Sequence, residues 1–180
     1  EHLQKYSPDK FFMMVEGGNI DWAAHSNDGG TVIKEILNFN KSIQLAYDFY
    51  KQHPDETLIV VTADHNTGGM ALGVNKGPKE VDLGVFDYQR TSLELFQRYC
   101  LDLQKSGKQV TWEEMKAILN EKLGLFGAVK VSEKREKQLQ EAFNRTFITR
   151  DAGDEKTLYA TFSEFVKIVF DVQNHCAGIG

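Results

Sequence analysis

Glu16, Asp21 and His25 crowd into one short stretch, "VEGGNIDWAAH", and Asp64 stands beside His65 further on, in "VVTADHNTGG". Carboxylate oxygens and imidazole nitrogens are the side-chain donors that hold divalent metal ions. Asp21 and His25 are spaced i, i+4, so one helical turn puts both on the same face, where they can chelate one ion. Asp64 and His65 can bind a second ion if the chain bends sharply enough to aim both inward. Mixed Asp/His ligation suits zinc, whereas Glu16, a hard oxygen ligand, suits magnesium. Gly17 and Gly18 would let the backbone pass close to such a cluster. Plainer readings stay open: an Asp-His pair as a turn or helix cap, an i, i+4 pair as a surface ion pair, Glu16 as the end of a strand. The metal reading rests on convergence, two separate pairs at the ends of two apolar runs.

Those runs are residues 10–15 ("KFFMMV") and 57–63 ("TLIVVTA"), both short and continuously apolar. Each reads as a strand buried on two faces, as in a parallel sheet. Between them Ile36, Phe39, Ile43, Ala46 and Tyr50 step by three and four, which predicts a helix over 31–53. Pro54 disfavours helical geometry in the residue before it and should end that helix. Strand, helix and strand then form a βαβ crossover, and both acid–histidine pairs fall at the carboxyl edge of one sheet, where ligands bind in open α/β folds.

From about residue 89 the pattern turns helical. Thr91 with Glu94, and Thr111 with Glu114, match capping boxes. Apolar periodicity follows each and continues over roughly 132–147 and 158–172. The expected fold is therefore α/β, with a metal-binding core over 1–88, a mainly helical layer over 89–173 and a return toward the core over 174–180.

The 180 residues suffice for one sizeable core, and a net charge of −5 without a basic run argues against nucleic-acid or anionic-membrane binding. No stretch is apolar enough to span a membrane. Cys100 and Cys176 carry no zinc-ribbon spacing, and Cys100 reads as a buried thiol. The chain begins at Glu1 rather than at a methionine, which suggests a piece of a longer protein.

The segment "FFMMVEGGNIDWAAH", a helix and then "TLIVVTADH" together resemble the alkaline phosphatase family, most closely over residues 8–72. "NHCAGIG" at 174–180 resembles the run just before that family's last zinc-binding histidine. The resemblance implies a partial alkaline phosphatase-like fold, parallel strands with flanking helices, plus a mainly helical insert. It implies that Asp21 and His25 ligate a first zinc, Asp64 and His65 a second, and Glu16 a third ion of magnesium type. The bulky Trp22 stands beside that third site, whose ion is therefore left open. The implied activity is hydrolysis of small-molecule phosphate monoesters through a phosphoserine intermediate. In the family the nucleophilic serine lies earlier in the chain and the final zinc histidine just beyond the end of this sequence. No catalytic nucleophile is expected among these residues, and the isolated chain should be inactive, with partial or no metal occupancy. A periplasmic or secreted location and a possible homodimer follow from the resemblance alone. The alternatives are a two-metal phosphodiesterase or sulfatase-type hydrolase of the same superfamily, or a non-enzymatic interaction fragment built on the helical layer.

Overall fold

The computed structural model describes residues 2–7, 9–67, 69–73, 80–150, 154–156 and 161–179. Seven α-helices lie among them: α1 (His2–Tyr6), α2 (Gly18–His25), α3 (Gly29–Gln52), α4 (Leu93–Lys105), α5 (Trp112–Leu123), α6 (Glu133–Phe143) and α7 (Glu164–Cys176). A 3₁₀ turn, Leu83–Tyr88, precedes α4, and α6 runs on into a π-helical turn, Asn144–Ile148. Strands β1 (Asp154–Lys156) and β2 (Thr161–Ser163) pair antiparallel, Glu155 opposite Phe162.

This architecture corrects the expected α/β fold: the described residues contain no parallel sheet. The two apolar runs at 10–15 and 57–63 carry no regular structure and face outward. Phe12 is 89% exposed and Leu58 87%. A strand buried on two faces needs hydrogen-bonding neighbours along its edges and apolar layers above and below. Neither run finds them among the described residues. The βαβ crossover falls with its strands, although its helix forms. In α3 the periodic residues extend to Gln52, and His53 leaves helical geometry ahead of Pro54 (φ −137°, ψ 56°).

The core lies in the later part of the chain. Before Val85, Ala23 is the one buried apolar side chain among the described residues; from Val85 to Ile179 the buried apolar residues form one cluster. Phe96, Phe143, Phe165 and Phe170 sit at its centre, with Phe143 and Phe165 edge-on at 6.1 Å. Helix α7 contributes Phe165, Val166, Val169, Phe170 and Val172, which makes it the apolar spine on which α4 and α6 pack. From residue 89 onward, Leu95 and Ile148 are the large apolar side chains exposed among the described residues, so the outer face of this layer is mostly polar.

Helix starts follow local chemistry. Thr111 and Glu114 form the expected capping box: the Thr111 N–H donates to the Glu114 carboxylate (2.8 Å) and the Glu114 N–H to Thr111 Oγ1 (3.2 Å). Helix α4 starts one residue later than the Thr91–Glu94 pattern predicts. Ser92 caps it by accepting from the Leu95 N–H, and Glu94 pairs with Arg98 instead. Both cysteines are free thiols, Cys100 buried and Cys176 half-buried. No helix among the described residues is long and apolar enough to cross a membrane.

Candidate metal centre

Helix α2 presents Asp21 in its first turn and ends on His25. The i, i+4 spacing does what the helical pitch dictates, bringing Asp21 Oδ1 to 3.3 Å from His25 Nε2. The helix then closes with a left-handed Asn27 (φ 55°). The Asn27 N–H donates to Ala24 O and the Asp28 N–H to Ala23 O, both at 3.0 Å. This pair of bonds is a Schellman motif with asparagine in the place usually taken by glycine.

His65 arrives from the segment after the second apolar run. Its Nε2 lies 3.7 Å from Asp21 Oδ1, and its ring centroid is 6.1 Å from that of His25. On the other side of the ring, Nδ1 is 3.0 Å from the Asn66 carbonyl. With the proton on Nδ1 donated there, Nε2 keeps a lone pair facing Asp21, the arrangement that orients metal-binding histidines. The Asn66 carbonyl, and then the Asp64 carboxylate, raise the pKa of His65 above its ordinary value.

Asp21, His25 and His65 thus offer one ligand atom each, all within 4.8 Å of one another. Asp21 Oδ1 is shut off from solvent and takes no hydrogen bond among the described residues. Four ligands at about 2.1 Å from a tetrahedral zinc lie roughly 3.4 Å apart. The 3.3 and 3.7 Å separations from Asp21 Oδ1 bracket that edge, within a trio that spans no more than 4.8 Å. A shielded carboxylate oxygen at ion-pair distance from two imidazole nitrogens, with no hydrogen bond of its own, fits a divalent cation.

Two expected ligands lie in the open, Asp64 beside His65 and Glu16 ahead of α2. The Asp64 carboxylate is 87% exposed; Oδ1 accepts from the His65 N–H (3.0 Å), while Oδ2 lies 3.6 Å from His65 Nε2. Glu16 is exposed, its Oε1 3.4 Å from where a Gly18 side chain would begin, and Trp22 is exposed on α2. Asp28 was absent from the expected site residues, yet it is buried directly after the α2 terminus. The run "NDGGT" carries an N-cap signal that could have marked it.

A family model described as Alkaline phosphatase matches residues 1–145. The chain is similar to "Alkaline phosphatase 4" of Bacillus subtilis (strain 168), 46% identical over 65 residues, 36% of this chain and 14% of that protein. It is similar to "Alkaline phosphatase 3" of the same strain, 44% identical over 75 residues, 41% of this chain and 16% of that protein. It is also similar to "Repressible alkaline phosphatase" of Saccharomyces cerevisiae (strain ATCC 204508 / S288c), 43% identical over 60 residues, 33% of this chain and 11% of that protein. The matched stretch therefore spans less than a fifth of each of these relatives. No solved structure matches the chain.

Proposed function

The chain belongs to the alkaline phosphatase family, and from that membership we propose that the intact protein is a metal-dependent phosphatase hydrolysing small-molecule phosphate monoesters through a phosphoserine intermediate. The observation that carries the metal dependence is the shielded Asp21 Oδ1 facing both His25 and His65. In this reading of the intact protein Asp21 and His25 hold one zinc, His65 leaves the cluster it shares with them here to hold a second with Asp64, and Glu16 contributes to a third ion of magnesium type. Bound divalent ions supply positive charge where negative charge develops on the attacking and leaving oxygens of an in-line phosphoryl transfer.

The protein's own contribution is placement. Helix α2 fixes Asp21 and His25 on one face, so neither side chain needs a long ordering step when an ion arrives. The Asn66 carbonyl holds His65 in the tautomer whose Nε2 can act as a ligand. The Asp64 carboxylate, though exposed, already stands 3.6 Å from His65 Nε2. A periplasmic or secreted location goes with this reading.

Hydrolysis of an aryl phosphate monoester against the matching diester by the intact protein, with zinc and magnesium and with this chain alone alongside, tests the proposal. A strong monoester preference abolished by EDTA is expected. A diester preference would move the function to a phosphodiesterase on the same metal scaffold. No hydrolysis of either would overturn the reading.

A further inference from the structure

Asp28 is 1% exposed, yet its carboxylate accepts four hydrogen bonds from three separate parts of the chain. Two come from the first turn of α3: the Thr31 N–H to Oδ1 (3.0 Å) and Thr31 Oγ1 to Oδ2 (2.7 Å). One comes from Gln89 Nε2 (2.8 Å) and one from the N–H of Leu93, the first residue of α4 (2.7 Å). Gln89 is itself held, since its carbonyl accepts from Lys34 Nζ at 2.6 Å. Capping α3 needs only the first of the four bonds. The last two tie the α2–α3 connection to the helical core.

The connection is three residues long, Ser26 to Asp28, and every part of it is fixed. The Schellman bonds hold its start, and Asn174 of α7 donates from Nδ2 to the Asn27 carbonyl (2.7 Å). Just beyond it a side chain at Gly29 would meet Asn174 Oδ1 and Ile179 Cδ1, both at 2.8 Å, so α3 is pressed against the core at that point. His25 is the last residue of α2, directly before this link. Helix α2 buries only Ala23 and packs chiefly on α3, so its position follows α3 and the link that joins them.

We propose that Asp28 is a positioning residue for His25: by locking the α2–α3 link onto the N-terminus of α4, its carboxylate sets where the His25 imidazole stands relative to Asp21 and His65. This rests on the metal reading of the cluster, deepens it, and is separable from it. Such supporting partners typically contribute about 10- to 100-fold in metal affinity.

Asp28→Ser is the informative variant, because serine still caps α3 but is too short to reach the Leu93 N–H and Gln89. Nuclear Overhauser contacts between the His25 and His65 rings report their placement without metal, and zinc competition with a chromophoric chelator reports affinity. The variant is expected to lose the ring contacts and bind zinc about tenfold more weakly or worse, while Overhauser contacts among Phe143, Phe165 and Phe170 persist. Unchanged ring contacts with unchanged affinity would overturn the proposal. If Asp28→Ser fails to fold, Asp28→Asn keeps the shape and removes one acceptor, and the same two readouts decide. His25→Ala in the wild-type background separates the two ideas. If zinc binding ignores His25, the metal reading fails, and the ring contacts in Asp28→Ser still decide the positioning role.

Discussion

The Asp21 carboxylate stands 3.7 Å from the His65 imidazole, although one belongs to α2 and the other to a loop beyond α3. Within α2 the same oxygen meets His25 through helical pitch alone. The long-range contact is therefore the informative one: it requires that the segment after α3 return to the α2 terminus.

Zinc should bind this chain weakly, through Asp21, His25 and His65. Equilibrium dialysis with elemental analysis should show weak uptake that Asp21→Ala removes. Tight stoichiometric zinc that survives dialysis, or uptake indifferent to Asp21, would contradict this ligand set.

Stability should reside in the later part of the chain. Leu119 is fully buried, and Leu119→Ala should cost about 2–5 kcal/mol in urea unfolding. Val60 is 72% exposed, so Val60→Thr should change stability by no more than about 0.5 kcal/mol. A large loss at Val60 would mean that the second apolar run is buried after all.

That pair of substitutions marks where sequence was and was not a guide. Helices α3 and α5 were legible because periodicity, capping and Pro54 are local signals. The apolar runs read as strands, but a strand's partners lie elsewhere in space, and an apolar run does not state who covers it. The Asp21–His25 pair was legible from spacing; its convergence with His65 was expected from two strands ending on one sheet edge, a sheet that the described residues do not contain. Asp28 could be read as a helix cap from "NDGGT", but its bonds to Gln89 and Leu93 join segments that no local pattern links.

Lowering the pH should weaken the α6–α7 junction. Burial, and then the charge of Arg135, holds the His175 pKa below its ordinary value of 6.5, while Arg135 lies 3.0 Å from His175 Nδ1 and 3.1 Å from Asp171. The folded chain thus binds fewer protons here than the unfolded one. The stabilising contribution is present above 6.5 and is lost as pH falls through the lower folded value. Urea midpoints between pH 7.5 and 5 should fall, and His175→Asn should flatten that dependence; an unchanged slope would contradict it.

Cys100 should be inert to thiol reagents in the folded chain. Burial pushes its thiol up to about 12, so almost no thiolate is present at pH 8. Labelling with an aromatic disulfide reagent should reach Cys100 only on unfolding; rapid labelling of the native chain at that site would show the core to be open.

The most direct measurement is on the intact protein carrying Asp21→Ala, read for both zinc content and hydrolysis of an aryl phosphate monoester. Loss of bound zinc together with loss of monoester hydrolysis is the predicted result, because Asp21 supplies the shielded oxygen at the centre of the cluster. Wild-type zinc content with wild-type hydrolysis would contradict the assignment of this cluster as the metal centre.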